Sequence, residues 1–273
     1  MIESNPLKFW TVDGFEISSY RWGISNRKNS TYKTSGSDNT GKCTYTYNEL
    51  GFRGDSIFKE GFKILSIGDS NTEGVGVKDT ETWPSQVSRY IPNSVNLNFG
   101  TGGRSNDFIS RCLLTFYDFL KPDLVLIMYT LPQRREFYTH AGGVEPFMPT
   151  DSWGYLKETD EGKFIQDRLT LIQNDNEDII NWYKNHNLIK YFLESKKCNW
   201  LWNGWMDIPI DYNEINRFDG NYHLPFMDLA VDNIHPGPIH NVNYSIKLYD
   251  YIYKNFRNYL PISCNENNRT KLI

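Results

Sequence analysis

The chain has 273 residues, of which 39% are hydrophobic and 23% are charged, and its formal net charge is −4. This composition is typical of a globular protein with one large domain or two small ones, and it lacks the basic excess expected of a general nucleic-acid-binding protein. No apolar run approaches the ~20 residues that span a membrane. None of the 4 cysteines belongs to a C-x-x-C pair typical of zinc or redox sites. No secretory signal is recognisable, so a cytoplasmic protein is expected, although a mature exported chain or a phage or virion product would have the same features.

An alternation of strands and helices is predicted after an irregular N-terminal segment, residues 1–44. In chain order, the predicted elements are a strand over 63–67, a helix over 81–91, a strand over 94–99, a helix over 105–120, a strand over 124–129, a helix over 177–195, a strand over 199–202 and a helix over 239–258. Strands that alternate with helices predict an α/β fold with a parallel sheet. We expect one domain, 45–260, with insertions at about 131–175 and 204–231, and a C-terminal tail, 261–273.

The apolar pattern of the last predicted helix suggests which of its faces is buried. Its periodic apolar and aromatic positions are Ile239, Val242, Ile246, Tyr249, Tyr253 and Phe256. This spacing predicts that these side chains pack against the sheet.

The first predicted strand runs into Gly68, Asp69 and Ser70. Ligands of parallel α/β sheets bind beyond the carboxyl ends of the strands, so this turn is a candidate site. A phosphate loop, G-x-x-x-x-G-K-[ST], would need a glycine where Glu73 stands, and a carboxylate there would repel phosphate. The remaining interpretations are a nucleophilic serine and an ordinary loop.

A serine nucleophile needs a base and a group that orients the base. Of the five histidines, His235 closes the run D-N-I-H, which begins at Asp232 and precedes a Pro-Gly turn. Asp232 would hold one ring nitrogen while the other faces Ser70, although a simple helix-start turn explains the same residues equally well. His186 is expected on a helix surface and His240 on a solvated helix face. The other two, His140 and His223, fall in the irregular intervals.

Four segments together resemble the SGNH (GDSL) hydrolase superfamily. G-D-S-N-T-E-G-V-G over 68–76 is similar to its first block, N-F-G-T-G-G-R-S over 98–105 to its second and D-N-I-H over 232–235 to its last. Upstream, N-E-L-G-F-R-G-D over 48–55 is similar to a lead-in of many bacterial and phage members. The resemblance covers about residues 45–258, and its strength lies in the order of the blocks at successive strand ends.

The resemblance implies a flavodoxin-like three-layer α/β/α sandwich with a parallel sheet of about five strands. It also implies that Ser70 is the nucleophile, His235 the base and Asp232 the orienting acid. The backbone N–H groups of Ser70 and Gly103 would donate to the oxyanion. Gly103 suits this role, because a side chain there would obstruct the approach of the backbone to the substrate.

This chain departs from the family at the third block, usually G-x-N-D, whose asparagine completes the oxyanion hole. Here the third strand runs into Y-T-L-P-Q-R-R-E over 129–136. Gln133 is expected to place an amide donor in the hole, and Arg134 is the alternative, but both also fit a surface loop. Asp69, Asn71 and Arg134 are expected to contact the substrate. Since loss of one oxyanion donor costs ~10²–10³ in rate, the departure is consistent with a slower enzyme, a rebuilt hole or a non-catalytic relative.

The function expected from this resemblance is ester hydrolysis through an acyl-enzyme, with no cofactor and no metal. The expected partner is a small-molecule or carbohydrate ester, either a short-chain ester or an O-acetylated sugar. Transfer of the acyl group to a sugar hydroxyl and an inactive binding protein are the alternatives. Four aromatic residues in or beside the insertions would form either a wall of the site or a self-packed cap: Trp153, Trp202, Trp205 and Tyr222. The oligomeric state is not readable from the sequence.

Overall fold

The computed structural model describes residues 43–138, 174–204, 216–219, 222, 225–261 and 264, together with 11–12, 15–16, 31–34, 144–147, 160, 163–164 and 167. In chain order, the elements are β1 (Thr11–Val12), β2 (Phe15–Glu16), β3 (Thr31–Thr34), β4 (Cys43–Thr46), β5 (Arg53–Gly54), β6 (Phe62–Ile67), α1 (Ser70–Glu73), α2 (Trp83–Tyr90), β7 (Ser94–Asn98), α3 (Asn106–Leu120), β8 (Leu124–Tyr129), β9 (Arg135–Tyr138), β10 (Val144–Phe147), α4 (Asp175–Ser195), β11 (Asn199–Gly204) and α5 (Pro238–Phe256), with 3₁₀ turns at Asp79–Glu81 and Arg257–Tyr259.

The central sheet has the strand order β11-β8-β6-β7-β5. Its first four strands are parallel, and their order is flavodoxin-like. The chain passes from the central strand β6 to β7 on one side, and then crosses to β8 and β11 on the other side. The predicted fold class is therefore confirmed, with one correction: the fifth strand, β5, pairs antiparallel with β7. On the opposite edge, Arg217 forms a single parallel bridge to Trp202 of β11, where a fifth parallel strand would begin.

The core lies on both faces of this sheet, as the predicted three-layer fold requires. Side chains of alternate residues along β6 enter different layers: Leu65 and Ile67 pack under α3 and α4, whereas Ile64 packs under α2 and α5. All three are fully buried. Burial of one such side chain contributes about 1.5–3 kcal/mol, so the sheet provides a rigid base for the loops at its carboxyl edge.

The predicted buried face of α5 is only partly right: Tyr249 is buried, and Ile246, Tyr253 and Phe256 pack against the core while partly exposed. Ile239 is 57% exposed, and the buried side chains include Tyr244, Leu248 and Ile252. The most buried stripe also contains a polar residue, Asn241, whose Oδ1 accepts from the backbone N–H of Trp83, at the start of α2, at 3.0 Å. The stripe that faces the core is therefore displaced from the predicted one.

Two histidines predicted at the surface are buried instead. His186 stacks on Trp182 with ring centroids 4.9 Å apart, and the Tyr129 hydroxyl lies 3.1 Å from its Nδ1. His240 packs edge-on against Tyr222, and its Nδ1 accepts from the backbone N–H of Met227 at 3.3 Å. Each imidazole has an aromatic neighbour and a hydrogen-bond partner, which together make burial of the polar ring tolerable.

The N-terminal segment predicted as irregular contains short strands. β1 pairs with β2, and β3 pairs with β4, both antiparallel. β9 and β10 form another antiparallel pair within the first predicted insertion. Among the helices of the described residues, none has the length and apolar character needed to cross a membrane.

Candidate active site

Ser70 lies at the start of α1, directly beyond the carboxyl end of β6. Gly68 allows this tight junction, because a Cβ at that position would lie 2.1 Å from Thr72 Oγ1 and 2.9 Å from the Met128 carbonyl oxygen. The Ser70 side chain is nearly buried. In the described part of the chain, its backbone N–H has no hydrogen-bond acceptor. The serine and a free N–H donor therefore occupy one residue at the topological edge where ligands bind.

Asp69 stabilises this turn, because both of its carboxylate oxygens accept hydrogen bonds. Its Oδ1 caps α1 by accepting from the Asn71 N–H at 3.0 Å. Its Oδ2 accepts from the Thr130 hydroxyl and from Arg134 Nη1, both at 2.8 Å. Asp69 was expected to contact the substrate, but it is fully buried and its oxygens bind protein groups, so it supports the turn from within.

The third-block residues reach the same turn. The Arg134 side chain is 11% exposed and compensates the buried charge of Asp69. Gln133 precedes it in a turn closed by the Arg134 N–H and the Leu131 carbonyl at 3.2 Å. The structure thus brings this divergent block next to the residue before Ser70, while the oxyanion role of Gln133 and substrate contact by Arg134 stay predictions.

The second-block loop docks onto α1 from the other side. Asn98 Nδ2 donates to the Thr72 carbonyl at 2.9 Å, and Asn98 Oδ1 accepts from the Gly100 N–H at 3.0 Å. Gly100 must be a glycine, since a Cβ there would lie 2.2 Å from the backbone nitrogen of Glu73. The asparagine of this block therefore fastens the loop to the helix that carries Ser70.

Beyond Gly100 the loop passes beside the nucleophile. A Cβ on Gly102 would lie 3.8 Å from Ser70 Cβ, and the Gly102 N–H donates to Glu73 Oε2 at 2.6 Å. Gly103 has a φ of +72°, a conformation that favours glycine. Its N–H has no acceptor in the described part of the chain, so Ser70 and Gly103 both offer free backbone donors.

Glu73 is a site residue that the sequence analysis missed. Its carboxylate served there only to exclude phosphate binding, although its position within the nucleophile block was a signal. Glu73 is 5% exposed and lies on the same helix as Ser70. Its link to Gly102 spans 29 positions of the chain, a distance that local patterns do not report.

Asp232 and His235 form a close pair at the start of the last loop. His235 Nδ1 lies 2.5 Å from Asp232 Oδ2, and the backbone N–H groups of Ile234 and His235 both donate to Asp232 Oδ1 at 3.0 Å. Burial opposes the charge of Asp232, but these hydrogen bonds outweigh it and hold the pKa of its carboxyl below the usual value. The His235 side chain is 21% exposed.

This pair is held against the loop that follows α1. The Val231 N–H donates to the Gly76 carbonyl at 3.2 Å. A Cβ on Gly76 would lie 2.7 Å from Ala230 Cβ and 3.2 Å from Asp232 Cγ. The Tyr45 hydroxyl accepts from the Gly76 N–H at 2.6 Å and fixes the same loop from the opposite side. The structure therefore brings the first and last motifs together, although 162 positions separate Ser70 and Asp232.

The lead-in motif contributes Arg53, whose side chain is almost wholly buried. Its Nη1 donates to the carbonyls of Glu73 and Gly74 at 2.8 and 2.7 Å, and its Nε donates to Asp79 at 2.9 Å. These carbonyls lie at the end of a short helix, where no further helical turn supplies backbone donors, so Arg53 caps α1 at its C-terminus. The lead-in thus stabilises the nucleophile helix from outside the site.

The expected aromatic wall is not formed by two of its four candidates. Trp202 and Tyr222 are buried. The Tyr222 hydroxyl donates to the carbonyl of Asn71 at 3.4 Å, which ties it to the nucleophile turn. Asn71, an expected substrate contact, is itself nearly buried, while Trp153 and Trp205 lie outside the described residues. Trp202 and Tyr222 therefore match the alternative of self-packing.

Within the described residues, no group of three or more His, Cys, Asp or Glu side chains is arranged to hold a metal ion. The candidate site combines a serine, a histidine–carboxylate pair and backbone donors, all near the carboxyl edge of the sheet.

Comparison with known proteins gives two structural neighbours of note. A protein from Desulfitobacterium hafniense assigned to the G-D-S-L family of lipolytic proteins shares 15% identity over 70% of this chain and 99% of its own, with a TM-score of 0.31. A family 3 carbohydrate esterase from Clostridium thermocellum shares 15% identity over 74% of this chain and 100% of its own, with a TM-score of 0.37. The first carries the family name that the motifs predicted, but TM-scores this low carry no conclusion about this chain. No family model and no curated protein sequence matches it.

Proposed function

We propose that this chain is a serine ester hydrolase of the SGNH type, which acts through an acyl-enzyme on a short-chain ester or an O-acetylated carbohydrate. The observation that carries the proposal is the Asp232–His235 pair, with Nδ1 and Oδ2 2.5 Å apart, on a loop bonded to the turn that follows the Ser70 helix. An aspartate that binds Nδ1 leaves Nε2 as the acceptor for a serine proton.

In the proposed reaction, each of these residues has one role. Ser70 Oγ attacks the ester carbonyl while His235 Nε2 takes its proton, and the N–H groups of Ser70 and Gly103 stabilise the oxyanion. The carbon–oxygen bond to the alcohol breaks, and His235 returns the proton to the leaving alcohol. A water molecule, deprotonated by His235, hydrolyses the acyl-enzyme and restores Ser70. Asp232 stays ionised and stabilises the imidazolium, consistent with its lowered pKa.

The preference for a small acyl group is part of the proposal and rests on the sequence, which contains no long apolar segment to form a lid over a bulk lipid. Transfer to a sugar hydroxyl uses the same acyl-enzyme. It would be recognised by an esterified sugar among the products when an acceptor sugar is added.

The test is hydrolysis of p-nitrophenyl acetate by the wild type and by Ser70→Ala. We expect the variant to lose at least about 10³-fold in kcat, because removal of a triad serine eliminates the covalent route. Ser66→Ala is the matched control: Ser66 lies on β6, is buried, and its Oγ has no partner in the described part of the chain, so this change should leave the rate within about twofold.

Equal rates in the wild type and in Ser70→Ala, on this ester and on acetylated sugars, would contradict the proposal. That result would instead favour a protein that keeps the fold and binds a ligand without turnover.

A further inference from the structure

The carboxylate of Glu73 sits inside the proposed site without a role in the serine mechanism. It is 5% exposed, and its Oε2 accepts from the Gly102 N–H at 2.6 Å. Burying a carboxylate is costly unless it is hydrogen-bonded, so a carboxylate kept at this place needs a structural or chemical reason.

We propose that Glu73 is a positioning residue, which places the Gly103 N–H in the oxyanion hole by fixing Gly102. The inference rests on the proposed esterase function, since it assigns a role to Glu73 in the same site. Glu73 does not touch the reacting atoms in this scheme; it acts through the backbone of the loop.

The support comes from the contacts of this end of the loop. Thr101 is bound to the rigid end of β6, because its N–H donates to the Gly68 carbonyl at 3.1 Å. After Gly102, the next backbone bond in the described residues joins the Arg104 N–H to the Thr101 carbonyl, at a long 3.4 Å. A Cβ on Gly103 would have no neighbouring atom within 4 Å. Nothing packs closely on that side of Gly103, and the 2.6 Å bond between Gly102 and Glu73 fixes the residue directly before it.

The location of Glu73 makes the coupling direct. Ser70 and Glu73 are the first and last residues of α1, so the nucleophile and the acceptor for Gly102 move as one unit. The distance between Ser70 and the oxyanion donor of the second block is then set within one short helix.

The charge itself works against catalysis, because a carboxylate near a developing oxyanion repels it. Glu73 therefore acts through the reach and geometry of its oxygen, and a neutral acceptor of equal length should replace it. This separates a positioning role from a role as acid, base or cation ligand, each of which needs the charge or the proton.

The kinetic test uses three substitutions of Glu73 and the same p-nitrophenyl ester. Glu73→Gln keeps the reach without the charge, and we expect its kcat within about threefold of the wild type. Glu73→Asp keeps the charge but is one methylene shorter, and Glu73→Ala removes the acceptor. We expect both to lower kcat about 10–100-fold with KM little changed, less than the ~10²–10³ of a donor lost outright.

Glu49→Ala is the matched control. Glu49 also accepts a backbone N–H, that of Ile57 at 3.0 Å, but it lies in the lead-in segment. We expect it to leave kcat unchanged. A loss in Glu73→Gln as large as that in Glu73→Ala would overturn the geometric role, and so would equal rates in Glu73→Ala, Glu73→Asp and the wild type.

A second readout does not need enzymatic activity. Amide hydrogen exchange, followed by NMR, should show the Gly102 N–H protected in the wild type and in Glu73→Gln, and exchanging at least about tenfold faster in Glu73→Ala. Unchanged protection in Glu73→Ala would overturn the proposal, whether or not the protein hydrolyses esters. If the wild type is inactive but Gly102 loses protection as expected, the proposed function fails while the contact between Glu73 and the loop is established.

Discussion

Two buried carboxylates lie within three residues of Ser70, and they are compensated differently. Asp69 pairs with Arg134 at 2.8 Å, so a positive charge offsets its own. Glu73 binds the backbone N–H of Gly102. If Ser70 acts as proposed, this ion pair reduces the negative field beside the developing oxyanion.

The candidate triad residues could be proposed from sequence because each belongs to a short local motif: Ser70 follows G-D, and Asp232 and His235 share D-N-I-H. Glu73 and the burial of Asp69 could not be predicted in this way. Both depend on partners far along the chain, such as Gly102 and Arg134, and a single sequence carries no direct signal of such pairs.

The lowered pKa of Asp232 leads to a pH-dependent contribution to stability. A carboxyl with a depressed pKa in the folded state stabilises the fold above its unfolded pKa of about 3.9, and this contribution is lost as the pH falls through the folded value. We expect Asp232→Asn to lower the free energy of unfolding by about 1–3 kcal/mol at pH 5 and by less at pH 2.5.

Urea denaturation of both proteins at the two pH values measures this difference. Asp118→Asn is the control, since Asp118 is 71% exposed and its ion pair with Lys196 lies at the surface. An Asp232→Asn deficit that is the same at pH 5 and pH 2.5 would contradict the assignment of the lowered pKa to this carboxyl.

At the scale of elements, the site is a meeting of four loops at one edge of the sheet. The ends of β6, β7 and β8 were predicted within one residue, because continuous apolar runs end in glycine or polar residues there. The burial of Asn241 on α5 was not predictable, because its partner Trp83 lies 158 positions away in the chain. The strand ends thus locate the site, and long-range polar bonds decide the packing around it.

The contact between the first and last motifs makes Gly76 a sensitive position. Gly76 has a φ of +79°, and a Cβ there would lie 2.7 Å from Ala230 Cβ and 3.2 Å from Asp232 Cγ. We expect Gly76→Ala to destabilise the protein by about 2–4 kcal/mol, from backbone strain of about 1–3 kcal/mol and the added clash. Because the clash displaces Asp232, esterase activity should fall as well, although Gly76 touches no substrate atom in the scheme.

Gly103→Ala separates strain from clash in thermal or urea unfolding. Its φ is also positive, +72°, but a Cβ there would meet no atom within 4 Å, so it should lose less stability than Gly76→Ala. Equal losses in the two variants would show that the contact with the Asp232 loop is unimportant.

For the whole molecule, the parallel sheet acts as the frame that brings distant motifs into one place. The fold class could be predicted from the alternation of strands and helices. Strand β5 and the capping of α1 by Arg53 could not, because a strand of two residues carries no periodic signal. The burial of His186 in a cluster of aromatic residues could not be predicted from local periodicity either. Local sequence patterns therefore predict the parallel sheet, whereas the edge strand β5 and the burial of His186 depend on tertiary contacts.

The central claim is that Ser70 is a nucleophile activated by His235. The most direct measurement is intact-protein mass spectrometry with peptide mapping after treatment with a fluorophosphonate probe. We expect one adduct on Ser70 in the wild type, no adduct in Ser70→Ala, and labelling slowed at least about 10²-fold in His235→Ala, because general-base activation contributes about 10²–10⁴-fold. An unlabelled wild type, or labelling at the same rate without His235, would contradict the account.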